Sequence, residues 1–502
     1  MFVPTRLALL ALLSLTTNQV GAQQAYELMD LGTLGGTTAI AYDINTSGQV
    51  VGGSTTSGDA ATHAFLYSQG TMTDLGTLGG ANSTAFGIND SGQTVGYSNT
   101  SAAANHATLW TGTTATDLGT AGTTESYAYG INNGGQVVGS IGAGLVPCTP
   151  TDTQDYLYGF GCGVSATLWS AGIAINLGAL DGAVESAAIS INDAGQAVGY
   201  VVGPSSGDGY KPALWTSTTI TLLPIKGAQG NAFGINAQAN VVGQVTFVAP
   251  SFQGSLWNGD TNIQLTSACG CYPVGAALSI NSAQQMVGVD SAGTPLVPTA
   301  VLWPSAAVEI NLNATLRPTV AAANFLTEAR AINASGQIVA NGTVTATGAT
   351  HAYLLTPVTA AGAPTATLSA NPTTVQTGHT FVLTWSSTNA WACSAGGTGV
   401  IGAPWTGTLA TSGTQTINAG STAGTITATL SCSFGNAQSA PAQAVVSVTN
   451  PPPPSKSGGG AFDLWTLIWL FGVGARRPLG RLLHRHLQRP RHRHQLLVSV
   501  AS

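Results

Sequence analysis

The sequence predicts an all-β chain, a seven-bladed β-propeller followed by a small β-sandwich. Three observations predict it. A motif typified by INDSGQTVG (88–96) occurs seven times. Its Asn falls at 45, 89, 132, 192, 236, 281 and 333, in steps of 44, 43, 60, 44, 45 and 52 residues, and a period near 45 matches one four-stranded propeller blade. Over 364–449 the texture changes to short alternating strands with Trp385 near Cys393 and a second cysteine at 432, the pattern of a small sandwich.

The elements follow in chain order. Residues 1–22 carry Arg6, the apolar run LALLALLSL and small residues before Gln23, which is a signal peptide and implies export. The propeller is expected over 26–358. Each copy offers four strands, A to D, shown in the second copy by STAFGIN, GQTVGYS, HATLW and ATDLG. Strand A alternates, which places Ala41, Ala85, Ala128, Ala188, Ala232, Ala277 and Ala329 on one face and Tyr or Phe plus Ile on the other. Arg330 interrupts the apolar face of the last copy and is expected at a solvated strand end. The Asn-x-x-Gly step between strands A and B reads as a hairpin, with the Asn side chain bonding the backbone and Gly taking a positive φ. Strand C ends in Leu66-Tyr67, Leu109-Trp110 and their counterparts, expected as inter-blade core, where removing a buried Leu would cost roughly 2 to 5 kcal/mol. The last copy lacks a D strand, whereas YELMDLG (26–32) is a D-type strand without a blade. Pairing the two would latch the ring and leave no open edge.

Composition bounds the function. Only 6% of the 502 residues are charged, and residues 23–460 hold five basic and eighteen acidic side chains. Such a body repels phosphate backbones, so nucleic acid is excluded as a partner. No phosphate-binding loop, HExxH or nucleophile elbow is present, and no cofactor is expected. Six cysteines in an exported chain favour disulfides. Among fifteen connectivities, Cys393 with Cys432 and Cys148 with Cys162 are expected, and Cys269 and Cys271 are unassigned.

Candidate sites are few. The third copy carries an insertion, residues 141–163, with Asp152, Asp155, Tyr156 and Tyr158 between Cys148 and Cys162. Long loops in repeat folds gather on a binding face, so these four residues are the candidate ligand contacts. B–C and D–A loops share a face, which brings Cys269 and Cys271 to the same side. Asp43 lies on an inner strand, and an enzymatic role would need further acids to converge with it at the channel mouth. A calcium site would want several converging carboxylates, which the residue pairs inside the repeated turn (TS, DS, NG, DA, AS) do not suggest. His63, His106 and His351 occupy one structural position in three consecutive blades. Equivalent positions there stand on the order of 10 Å apart, too far to share a zinc ion, so no metal site is expected.

DLGTLGG (30–36 and 74–80), INDSGQTVG and HAFLY (63–67) together resemble the HAF family of extracellular repeats, over residues 26–358. The resemblance implies a secreted or surface-exposed repeat protein and names no ligand. The second domain resembles the Ig-like modules of bacterial surface proteins, in which a cysteine pair bridges strands. A Pro/Gly-rich linker (450–460) then leads to AFDLWTLIWLFGVGARR (461–477), which is similar to the GlyGly-CTERM sorting signal cleaved by a rhomboid-type protease. Membrane contact would be made through that segment alone. Asp463 and the basic run 478–502 depart from the signal's pattern, and the latter reads as a frameshift product or a basic tail. The leading functional expectation is non-catalytic binding of an extracellular glycan or protein through the loop face. A propeller hydrolase or lyase acting on a polysaccharide, and a structural surface-layer component, are the alternatives.

Overall fold

The structure, a computed structural model, describes residues 25–142, 164–180, 183–203, 209–246, 252–267, 275–292, 297–359, 362–399 and 405–453. Residues 1–22, where a signal peptide is expected, the insertion with Asp152, Asp155, Tyr156, Tyr158, Cys148 and Cys162, the pair Cys269 and Cys271, and residues 454–502 lie outside the described residues. Among the described residues no helix is long and apolar enough to cross a membrane.

Seven four-stranded antiparallel sheets follow one another along the chain in a propeller-like arrangement. The first comprises Gly35–Ile44, Val50–Thr56, Thr62–Ser68 and Thr71–Asp74. In every sheet strand A stops at the Ile before the repeated Asn, from Ile44 and Ile88 to Ile280 and Ile332. The stop is local chemistry. Asn45 Oδ1 accepts the backbone N–H of Ser47 (3.1 Å) and of Gln49 (2.9 Å), the Gly48 N–H bonds the Asn45 carbonyl, and Gly48 takes φ 80°. Where the Gly is replaced, Ala239 and Gln284 adopt the same left-handed conformation, at φ 62° and 61°. Seven hairpins therefore share one backbone, set by the Asn more than by the Gly.

Strand A does not alternate as expected. A β-bulge interrupts every copy between the small residue and the residue two further on: Ala41/Asp43, Ala85/Gly87, Ala128/Gly130, Ala188/Ser190, Ala232/Gly234, Ala277/Ser279 and Ala329/Ala331. An extra residue in one strand reverses the facing of the residues beyond it. Ala41 and Ile44 consequently share one apolar cluster instead of facing opposite ways. The bulged residues are Tyr42, Phe86, Tyr129, Ile189, Phe233, Leu278 and Arg330. Arg330 is thus not at a solvated strand end. It is 9% exposed, its Nε bonds Glu328 Oε1 at 2.8 Å, and its guanidinium lies 5.3 Å from the Tyr42 ring centre.

The core is distributed between sheets. Trp110 packs with Val51, Ala64 and Leu75 of the preceding sheet and with Ala85 and Ile88 of its own, and the other clusters repeat this two-sheet composition. In the first four Leu-aromatic pairs the aromatic carries the burial, whereas Leu256, Leu302 and Leu354 of the later copies are buried too. Trp110, Trp215 and Trp257 are fully buried, whereas Leu66, Leu109, Leu168 and Leu214 are half-buried, so the expected cost of removing those leucines falls below the range for fully buried ones.

The ring closes through its ends. The strand Ala25–Asp30 pairs antiparallel with Thr350–Val358, placing Asp30 opposite Tyr353, and the Leu31 N–H bonds the Ala352 carbonyl at 3.0 Å. The first sheet then packs on the seventh: Leu31, Ala331, Val339 and Leu354 share a cluster with Ala39, Ala41, Ile44 and Phe65. Asn341 adds a polar clasp across the same seam, accepting the Ala41 N–H (2.8 Å) and donating to the Ala41 carbonyl (3.0 Å).

Beyond the ring, a three-stranded sheet (Thr365–Asn371, Thr380–Thr388, Ser412–Asn418) and a larger sheet built around Gly424–Phe434 share a core of Phe381, Leu383, Trp385, Ile417, Leu430 and Val446. Cys393 and Cys432 form the expected disulfide. It joins residues directly opposite each other on neighbouring strands of the larger sheet.

Candidate functional site

The A–B turns of the seven sheets meet around the axis of the ring, and their repeated asparagines are wired together. Asn45 Nδ2 donates to the Asn89 carbonyl at 3.1 Å, Asn89 to Asn132 at 3.2 Å, Asn132 to Asn192 at 3.1 Å and Asn192 to Asn236 at 3.2 Å. Asn236 continues to Asn281 at 3.1 Å, Asn281 to Asn333 at 3.1 Å, and Asn333 back to Asn45 at 3.0 Å. The circuit is closed. Most of these Nδ2 groups give their second proton to the Gln four residues on, as Asn89 does to Gln93 at 2.9 Å, so each buried amide is satisfied within the wreath. The Asn therefore does two jobs, of which only the hairpin was legible locally.

Above the wreath stands the residue after each Asn. Four consecutive sheets place Thr46, Asp90, Asn133 and Asp193 there, and the next places Ala237. The four polar residues form a bonded arc. Thr46 donates to Asp90 Oδ1 from its N–H (3.0 Å) and its hydroxyl (2.7 Å), the Asp90 N–H donates to Asn133 Oδ1 (2.9 Å), and the Asn133 N–H to Asp193 Oδ1 (2.9 Å). Asn133 Nδ2 reaches Asp90 Oδ2 and Asp193 Oδ2, both at 3.1 Å. The arc and the wreath line a cavity of about 210 Å³, floored by Ile44, Ile88, Ile131, Ile191 and Ile235. Two carboxylates that look unrelated in the sequence thus converge on one amide. The signal was present: residues at one offset in a closed repeat must share one ring. Among the described residues no group of three or more His, Cys, Asp or Glu is placed to hold a metal ion.

The acids differ electrostatically. Burial acts to raise the Asp90 carboxyl, but the bonds from Thr46 and Asn133 outweigh it and hold it below the usual carboxylate range. Asp43 behaves oppositely. Burial pushes it up to about 7 against the lowering effect of two backbone N–H bonds, from Ile88 (3.0 Å) and Ile44 (2.8 Å), and the negative charge of Asp90 adds to the rise. Asp43 does not line the cavity. With a folded pKa near 7 against 3.8 for the ordinary group, the native state holds the extra proton between those values. Stability contributed by this group is therefore lost as pH rises from about 4 to about 7 and stays level above. Replacing Asp43→Asn removes that dependence. Relative to the parent, the variant should gain roughly 1 to 4 kcal/mol between pH 4.5 and 7.5 in denaturant melts. A parent–variant difference that is constant with pH would refute the assignment.

The three histidines are structural. His63 Nδ1 lies 2.8 Å from Asp74, His106 is 2.7 Å from Asp117 and His351 is 2.7 Å from Asp30, each joining strand C to the outer strand beside it. The free oxygen of each Asp accepts the N–H of the Gly two residues on. Copies with Ser165, Lys211, Gln253 or Thr299 at the His position have Asn176, Leu222, Gln264 or Asn311 at the Asp position. This covariation among the repeats was available to sequence reading and was missed. Because His351 finds its Asp across 321 residues, the same rule identifies residues 25–30 as the seventh sheet's outer strand.

The site stands on the face opposite the one expected to carry the insertion, since A–B turns and B–C loops lie at opposite strand ends. No family model matches the chain, and no curated protein does. Solved structures overlap it weakly. The acylaminoacyl peptidase of Pyrococcus horikoshii is 11% identical over 71% of this chain and 58% of its own, with a TM-score of 0.40. TolB from Acinetobacter baumannii is 12% identical over 48% and 63%, with a TM-score of 0.31. A gluconolactonase from Xanthomonas campestris is 9% identical over 66% and 90%, with a TM-score of 0.32. The chain spans 58% and 63% of the first two proteins, and at these scores none of the overlaps carries a functional argument.

Proposed function

We propose that the chain is an exported, surface-associated protein, a seven-bladed propeller with an Ig-like sandwich, that binds a glycan without catalysis at the mouth formed by its A–B turns. One observation carries the reading: the arc Thr46, Asp90, Asn133 and Asp193 is held rigid by its own hydrogen bonds over a floor of isoleucines. Preorganised carboxylate and amide oxygens at a small concave opening suit vicinal hydroxyls, whose donors find acceptors already positioned. The acidic balance of residues 23–460 and the two aspartates disfavour polyanionic glycans and favour neutral or amino sugars. Export is supported by the leader-like residues 1–22 and by the Cys393–Cys432 disulfide. Anchoring through residues 461–477 and processing by a sorting protease of rhomboid type belong to the same reading.

One observation favours a second reading, a hydrolase: Asp43 and Asp90 have proton affinities displaced in opposite directions, the pattern of an acid and a base. Against it, Asp43 spends both carboxylate oxygens on backbone N–H groups and does not reach the cavity. Glycan arrays followed by calorimetry on the purified ectodomain test the choice. Asp90→Asn and Asp193→Asn should each weaken binding by roughly tenfold or more while the ring stays folded, as read by circular dichroism. Turnover of any polysaccharide, abolished by Asp43→Asn, would replace binding with hydrolysis.

A further inference from the structure

The outer strand of the third sheet differs from its counterparts in being both apolar at its outward positions and uncharged; the sixth, Val308–Asn311, shares the apolar positions but carries Glu309. Strand D runs Thr71–Asp74 in the first sheet, Thr114–Asp117 in the second, Ile173–Asn176 in the third and Thr219–Leu222 in the fourth. Its first and third residues face outward, and in the first, second and fourth sheets these are threonines. In the third sheet they are Ile173, 63% exposed, and Ile175, 38% exposed. The aspartate that ends the strand in the first two sheets is Asn176 here, so the strand bears no charge. Leu180 and Val184, which come after it, and Leu222 on the next sheet are also exposed. These five side chains make up half of the ten large apolar residues exposed among the described residues. Natural edge strands are normally blunted by charge or covered, and among the described residues this one is neither.

The strand's backbone is equally open. The Leu177 N–H bonds the Ala166 carbonyl on strand C, and antiparallel bonding alternates residue by residue. Ile173 and Ile175 therefore spend their backbone groups inward, and the N–H and C=O of Ala174 and Asn176 point outward from the sheet. We propose that this edge is a self-association surface, at which Ile173–Asn176 pairs antiparallel with the same strand of a second copy about a two-fold axis at Ile175. In that register Ala174 of each copy exchanges both backbone bonds with Asn176 of the other, and the two Ile175 side chains meet in the close, non-hydrogen-bonded position. A second copy is the occupant because the edge is its own complement in hydrogen bonding and apolar shape, and because like charges, which Asp74 or Asp117 would bring to such a dyad, are absent. Pairing the first sheet's edge with itself would set Asp74 and its twin beside the axis.

Sedimentation of the full mature chain up to about 100 µM should show a monomer–dimer equilibrium. The double variant Ile173→Thr, Ile175→Thr copies the outward residues that the first and second sheets already fold with, so its melting should match the parent's while its dimer dissociation constant rises about tenfold or more. Ile175→Cys should cross-link rapidly into a disulfide dimer on mild oxidation, and Thr73→Cys, its counterpart in the first sheet, should not. A chain that stays monomeric throughout the range, a dimer the double variant leaves intact, or equal cross-linking at both positions would overturn the assignment, the first of these also being the result if the edge serves a different protein.

Discussion

Deleting residues 25–32 is expected to unfold the entire ring in one transition at a much lower temperature, and not to fray one sheet. The deletion removes six paired positions along Thr350–Val358, the buried Tyr26 and Leu31, and the Asp30 carboxylate that holds His351. Two buried large side chains alone are worth roughly 5 to 10 kcal/mol, comparable to the whole stability of a typical domain. Leu31 also belongs to the cluster between the seventh and first sheets, so its loss opens the one interface not enforced by chain continuity. Calorimetry and urea melts read the result, and a synthetic peptide of residues 23–33 added in trans should restore part of the lost stability. A deletion variant melting like the parent would show that the seam does not depend on this strand.

The second large effect concerns the last glycine of the repeat. A Cβ on Gly96 would fall 1.9 Å from the Thr84 carbonyl oxygen, and the equivalent atoms on Gly52, Gly139, Gly199, Gly243 and Gly288 would fall 1.9 to 2.0 Å from the matching carbonyl of strand A. Each of these glycines pairs with the alanine that precedes the bulge, where strand A leans over its partner. The obstacle is backbone on a strand wedged between sheets, so it cannot rotate aside. Gly96→Ala should therefore cost at least about 3 kcal/mol, at the severe end for a single added methyl group. The seventh sheet provides the control. It carries Ala340 at this position, opposite an Ala329 that a second bulge, between Leu326 and Glu328, directly precedes, whereas the extra register shift opposite Gly96's strand lies further off, between Gly79 and Ser83; Ala340→Gly should cost only about 1 kcal/mol. Equal effects of the two substitutions in thermal and urea melts would mean that the bulge is not the reason for the glycine.

Gly96 also shows why reading stops where it does. Its recurrence is visible in six of the seven copies, and so are the Asn of each turn, the aromatic ending strand C in the first six copies and the missing outer strand of the last. These are local or periodic facts. Hydrophobic alternation, turn chemistry and a repeat length near 45 were sufficient to determine an all-β chain of four-stranded units closed by its own N-terminal strand. Local alternation gave the wrong facing for strand A, because a bulge inserts one residue without any change in composition, and it put Arg330 at a solvated end when the bulge turns it inward against Tyr42 and Glu328. The candidate site was less legible still. Asp90 and Asp193 are 103 positions apart and sit in turns that individually need neither. Only the packing of consecutive sheets brings them to one amide, because the distance between two side chains in a repeat is set by the rotation from sheet to sheet and not by anything within a single copy. Sequence by itself determined which units form and how the ends join. The tertiary structure decided which side chains meet, through bulges that re-aim strands and a rotation that makes distant equivalents neighbours.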